Sequence, residues 1–173
     1  PSRARLPEMK FDRDTIVVRA KSKFGRLILA DARIDGDKVW VVIDTGSQVT
    51  VGNEALRRKL AKSGKLQWMA PIELVSVTGG RLLADYAQVP QLKVGGIELV
   101  NLPVAFADAH PFRKLGLLRR PALLLGMDSL ALFERVSIDF ASRRIRFDLP
   151  DLSLRGRETR LAFSEPAVGA ARQ

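Results

Sequence analysis

The stretch Val39–Gly52, VWVVIDTGSQVTVG, decides how the rest of the chain is read. Five apolar residues, Val39 to Ile43, run without a break into Asp44, Thr45, Gly46 and Ser47. An apolar run bounded by turn residues reads as a strand buried on both faces. Such a strand does not ordinarily end on a carboxylate, because an unpartnered charge is costly to bury. Asp44 is therefore a candidate catalytic acid. The plainer alternative is a simple turn, in which Asp44 bonds its own backbone.

Composition narrows the chemistry. The chain has 173 residues, enough for one domain or one lobe of something larger, and enough to bury a core without a metal or disulfide staple. It has no cysteine, which excludes disulfides, thiolate metal sites and a cysteine nucleophile. The single histidine, His110, excludes multi-histidine zinc sites and disfavours Ser–His schemes. Carboxylates, hydroxyls, lysines and backbone are left, and no metal or cofactor is expected. No apolar run approaches the roughly 20 residues of a membrane helix, and no signal peptide is visible.

The formal charge is +10, densest at Arg57–Lys59, Arg119–Arg120 and Arg143–Arg146. A solvated surface is the plain reading; an acidic partner or an anionic membrane surface is the sharper one. Nothing else in the sequence supports peripheral membrane contact. Nucleic acid is disfavoured, because aromatics are only 6% and do not interleave with the basic residues.

The flanking segments read as short strands and glycine turns. Leu27–Ile34 alternates as a half-buried strand, Asp35-Gly36 supplies a hairpin turn, and Val39–Ile43 returns. A helix is predicted from Asn53 to Ser63, with Asn53 as cap and Leu56 and Leu60 facing inward. Two strands surround a glycine tip at Gly79-Gly80, and Gly95-Gly96 joins a further pair. PALLLGMDSLALF reads as a strand, a glycine and a short helix, and RVSIDFASRRIRFDL as a closing hairpin turning near Ser142. His110 falls in a loop. The fold class is mostly β with two short helices. Residues 1–24 read as an N-terminal extension or linker holding one strand-like piece, Thr15–Ala20. Residues 25–149 read as the domain, and 150–173 as a C-terminal tail.

An apolar strand feeding DTGS, then a glycine-tipped hairpin, then LLLG leading into a helix, is an order that resembles the retropepsin-like aspartic proteases, the single-lobe relatives of pepsin. The resemblance runs from about Gly25 to Leu149 and implies an acid-protease barrel. Asp44-Thr45-Gly46 would be the catalytic loop. The hairpin through Val77, Thr78, Gly79 and Gly80 would be the flap over the substrate. Leu124-Leu125-Gly126 would be the segment behind the loop. Met127 stands where retroviral members usually carry a dimer-bracing arginine. GMDSL looks instead like bacterial exported members and the second lobe of two-lobed ones, implying a periplasmic or exported protein.

The chemistry needs a second acid. Hydrolysis without a covalent intermediate requires a base for the water and an acid for the leaving nitrogen, which two carboxylates sharing one proton supply. The second aspartate would come from a symmetry-related chain in a homodimer or from a partner lobe upstream in the same protein. By resemblance, Thr45 would bond the partner loop. Gly46 N–H is a plausible donor to Asp44, and Ser47 is expected to donate to the outer carboxylate oxygen. Asp128 reads as a helix-start cap, Tyr86 as a buried sheet aromatic, Trp68 as core or edge filler, and Asp139 and Asp148 as surface charges. The expected activity is an aspartic endopeptidase acting on protein or peptide. The alternative is a non-catalytic peptide-binding or assembly module on the same fold. A glycoside hydrolase fits less well, since no second acid is as well placed as Asp44.

Overall fold

A computed structural model describes residues 15–76 and 78–150, together with the strand Thr159–Ala162. Val77, one of the expected flap residues, lies outside the described residues, as do residues 1–14 and most of the chain beyond Pro150.

Strand β1 is Thr15–Arg19, β2 Lys21–Lys23, β3 Arg26–Ile34 and β4 Asp37–Ile43. The β3–β4 turn holds Asp35 and Gly36 at φ 52° and 83°. Two consecutive left-handed residues match the twist of the strands they join, and glycine takes this conformation without a Cβ clash. A two-residue β5, Val51–Gly52, leads into helix α1, Glu54–Ser63. The Asn53 side chain caps α1 by accepting from Leu56 N–H, and Leu56 and Leu60 are buried.

The expected glycine-tipped hairpin is β6, Gln67–Val75, with β7, Arg81–Val94, and β8 is Ile97–Phe106. β7 is longer than the sequence suggested, fourteen residues continuing through Pro90. Its first half pairs with β6 and its last residues with β3, while β8 runs along both.

Helix α2, His110–Lys114, occupies the segment expected as a loop around His110. Five residues are too few to show a helical period, and Pro111 reads as a breaker although proline is tolerated in a first helical turn. After it come β9, Ala122–Leu125, helix α3, Met127–Leu130, and the closing hairpin β10, Arg135–Asp139, with β11, Arg144–Asp148. Three helices are therefore present among the described residues, not two. The last strand, β12, is Thr159–Ala162.

The fold is mostly β, with a closed six-strand barrel of the retropepsin-like kind. Pairing runs β8–β5–β9–β4–β3–β7 and back to β8. The barrel interior holds Val39, Val41, Ile43, Leu123 and Leu125, while Val42, Ala122 and Leu124 alternate outward into a second cluster. Phe112 and Leu115, from and beside α2, cover that outer face. Both faces of β4 and β9 are thus dry, which is why their sequences, VWVVI and ALLL, carry no polar alternation.

Part of each terminal segment joins these sheets. β1 pairs with β11 in a separate three-stranded sheet, with Val18 buried, and β12 pairs with β8. No helix of the described residues is long and apolar enough to cross a membrane.

Candidate active site

β4 and β9 run parallel, in register from Trp40 opposite Ala122 to Ile43 opposite Leu125, so both end at the same edge of the barrel. Asp44 is the first residue beyond that ladder, and its N–H donates to Leu125 O at 3.0 Å. The chain then turns back, Ser47 N–H donating to Asp44 O at 3.3 Å. Asp44 is 9% exposed. Its Oδ1 accepts from Gly46 N–H at 3.2 Å and lies 3.3 Å from Nη1 of Arg26. Arg26 opens β3, and its side chain is 34% exposed.

The loop is held by the segment that follows β9. Met127 N–H donates to Ser47 O at 2.8 Å, and Asp128 N–H to Gln48 O at 3.1 Å. Gly126 makes this approach possible, since a Cβ there would stand 2.5 Å from Val49 O. Thr50, fully buried, closes the network. Its N–H and its hydroxyl donate to the Asp128 carboxylate at 3.1 and 2.7 Å, and its hydroxyl oxygen accepts from Gly126 N–H at 3.1 Å. The 2.6 Å contact with Ser129 Oγ must then have Ser129 as donor, because the one hydroxyl proton of Thr50 is already given to an acceptor-only group. Every bonding position of that buried hydroxyl is filled.

Two expectations change. Ser47 Oγ donates to Val49 O at 2.6 Å rather than to the carboxylate of Asp44, so it stiffens the turn from within. Asp128 does not cap α3, whose N-cap position is Gly126 with no side-chain bond; it lies within the helix, accepts from Ser129 N–H at 2.7 Å, and ties α3 to Thr50, 78 residues earlier. Thr45 is exposed at the tip of the loop.

Residues 30–129 match the family model described as aspartyl protease. The chain belongs to the aspartyl proteases. No curated protein matches it. Among solved structures it is similar to a retropepsin-like aspartic protease from Rickettsia conorii, at 20% identity and a TM-score of 0.53, over 78% of this chain and 90% of that one. At that identity the likeness concerns the fold. Family and fold together support aspartic peptidase activity.

Within this aspartyl protease fold the β6–β7 hairpin, the expected flap, is built differently from the Asp44 loop. Ser76 N–H donates to Gly80 O at 2.8 Å, Gly79 N–H to Ser76 O at 2.9 Å, and Gly80 N–H to Ser76 Oγ at 3.0 Å. Ser76 and Thr78 share a hydroxyl contact at 2.9 Å. Thr78, Gly79 and Gly80 are exposed, and no hydrogen bond links this tip to the Asp44 loop among the described residues. Val75, Leu82 and Leu83 stand in solvent beside it, Leu83 at 72% exposure.

Tyr86, farther down β7, is half-buried; burial first, and the Asp128 charge second, push its hydroxyl above the usual phenol range, so it stays neutral. Trp68, on the edge strand β6, is 50% exposed, its ring 6.1 Å from Phe106 and 5.4 Å from the Arg57 guanidinium, which fits the edge and not the core alternative. No group of three metal-ligating side chains occurs among the described residues.

Proposed function

We propose that this chain is an aspartic endopeptidase whose water is activated by two aspartates, Asp44 and a second one brought by a symmetry mate or a partner lobe. The observation that carries this reading is a buried carboxylate standing at the tip of a strand, on a loop that the α3 segment holds rigid. Rigid placement lets two such carboxyls meet at one fixed separation. Like charges a few ångströms apart resist joint ionisation, so the pair keeps one proton: the ionised member takes a proton from water, and the protonated one gives its own to the leaving nitrogen. Thr45 is exposed, which supports its expected role of bonding a partner loop. An exported, periplasmic setting belongs to the same reading and rests on the likeness of the Gly126–Leu130 segment to exported members.

One observation favours a second reading, a peptide-binding module without turnover. Arg26 already sets a positive charge beside Asp44, and a carboxylate so matched needs no second acid. Such a cleft would hold an extended peptide by strand pairing alone.

Cleavage of a mixed peptide library, with and without pepstatin, separates the two when it is run beside sedimentation. Pepstatin-sensitive cleavage with an optimum below neutral supports the shared proton. Peptide binding without cleavage, by a species of monomer mass, overturns the peptidase reading in favour of the binding module.

A further inference from the structure

The end of the barrel opposite Asp44 carries a feature that peptide hydrolysis does not use. Between α1 and the turn that precedes β9 lies a groove of about 760 Å³. Arg58, Lys59 and Lys62 stand on its helix wall and Arg119 on the turn, over Ala55, Leu118 and Pro121. Among the described residues no carboxylate lines it. A second concavity of about 290 Å³, on the other side of the 117–121 turn, is lined by Arg120, Lys21, Lys23 and Trp40, again without an acid among the described residues. Trp40 gathers two cations of this second part, the Arg120 guanidinium at 5.6 Å and Lys21 Nζ at 6.0 Å from its ring, and Lys38 Nζ beside them at 4.6 Å.

The charges are only partly neutralised within the fold. Lys59 pairs with Asp37 at 3.1 Å and Arg58 lies 3.6 Å from Glu54, but Lys62 and Arg119 meet no carboxylate among the described residues. The two walls are also fixed to each other. Asn53, buried at the N-terminus of α1, donates through Nδ2 to Leu117 O at 2.8 Å and to Arg120 O at 2.7 Å, and accepts from Ala122 N–H at 3.2 Å. The turn bearing Arg119 is thereby fastened to the helix bearing Lys62. Cations set on preorganised, facing walls bind an anion at less entropic cost than free side chains would.

We propose that this groove is a docking site for an acidic segment of polypeptide. The charge pattern calls for an anion, and the shape selects which. Walls on both sides of a concavity suit a chain lying between them, whereas a planar bilayer would meet only their rims. The apolar floor at Ala55, Leu118 and Pro121 offers contact to a backbone and to methylene groups, while glutamate or aspartate carboxylates reach the walls. Nucleic acid would want several stacking aromatics, and Trp40 alone lines the two concavities. Trp40 lies four residues before Asp44 on an extended strand, about 13 Å away along it, so the acidic segment would lie apart from the catalytic loop.

Fluorescence anisotropy of a labelled peptide of alternating glutamate and glycine tests this without any need for cleavage. Binding should weaken as salt is raised. The double variant Lys62→Glu/Arg119→Glu should weaken it about tenfold or more, and Lys62→Gln/Arg119→Gln by a smaller factor. Arg19→Glu/Arg143→Glu removes the same net charge from β1 and the β10–β11 turn and should change affinity by less than about twofold. Equal losses in the two charge-reversed variants would reduce the effect to net charge and overturn the site. So would the absence of peptide binding at physiological ionic strength, or tighter binding of phosphatidylglycerol vesicles or a single-stranded oligonucleotide than of the peptide. Loss of peptidase activity would leave this readout untouched, so the two proposals fail separately.

Discussion

The loop after β4 and the tip of the β6–β7 hairpin are both short, polar turns rich in glycine, yet they are held in opposite ways. Residues of the first, from Ser47 to Thr50, are bonded by Gly126, Met127 and Asp128, some 78 residues away. Among the described residues, those of the second bond only within Ser76–Gly80, and Val75, Leu82 and Leu83 beside them stay in solvent. Long-range bonds in a dry setting open only when the barrel does; a tip with local bonds can open alone. The proposed peptidase would use both properties, a carboxylate that does not move and a cover that does.

The sharpest test of this contrast is Asp44→Asn. Hydrolysis should fall by about a thousandfold or more, because general acid–base chemistry is lost, while the thermal midpoint stays near that of the unaltered protein. Undiminished kcat/KM would remove Asp44 from the mechanism.

Gly126→Ala tests the rigid side of the comparison. Its Cβ would meet backbone, Val49 O at 2.5 Å and Ser47 O at 3.0 Å, so neither wall can yield by a rotamer change. The expected cost is about 1–3 kcal/mol in denaturant unfolding, with a larger fractional loss of activity than of stability. A variant as stable as the parent would show that the loop can shift.

Asp128→Ala should cost a similar or smaller amount, about 1–3 kcal/mol, by stranding the buried Thr50 N–H and hydroxyl. Combining it with Thr50→Val should cost less than the sum of the two, since they remove one shared network. Strict additivity would break the network account.

On the mobile side, Gly79→Ala places a Cβ at φ +85° with nothing within 4 Å. About 1–2 kcal/mol of backbone strain should fall on the tip alone, raising KM severalfold while global stability changes little. A drop in global stability matching that of Gly126→Ala would erase the difference between the two turns.

The smallest effect belongs to a third turn, in the β10–β11 hairpin. Asp139 accepts from Ser142 Oγ at 2.6 Å and from Ser142 N–H at 3.1 Å, and the hydroxyl bond, then the backbone bond, hold its carboxyl below the usual range. A depressed carboxylate stabilises the fold above its unfolded value and loses that contribution as pH falls through the lowered one. Ser142→Ala should therefore be slightly less stable near neutrality, the gap closing in acid. A gap constant with pH would assign the effect to something other than Asp139.

Much of the barrel was legible from local pattern. The β3–β4 hairpin, helix α1 with its Asn53 cap, the glycine-tipped β6–β7 hairpin and the LLLG-to-helix step are all marked by turn and cap residues lying next to the elements they bound. Helix α2 was not legible, because what makes it a helix is Phe112 and Leu115 sealing the outer face of β4 and β9, a contact no local period records. β12 and the pairing of β1 with β11 escaped for the same reason: sheet partners are distant in sequence. At the site, Asp44 announced itself as a charge at the end of an apolar run. Arg26 did not, although the β3–β4 hairpin that pairs Ile28 with Val42 sets it across from Asp44, because the exact register and the reach of its side chain were not read from the sequence. Ser47 was assigned to the wrong acceptor because a hydroxyl three residues after a carboxylate can turn to either of two acceptors, and Val49 O is the one it meets.

By itself, then, the sequence determined the chemistry on offer: one acid at the tip of a dry strand, no thiol, a single imidazole, and the order of strands and turns that resembles an acid-protease lobe. Only the tertiary structure decided what that acid touches, which carboxylate locks its loop, and that the scattered basic residues of α1 and the 117–121 turn face one another across a groove. The division has a physical cause. Propensity, capping and apolar alternation act over a few residues and leave their mark in the sequence, whereas hydrogen-bond partners and charge neighbours are chosen by which distant strands pack side by side.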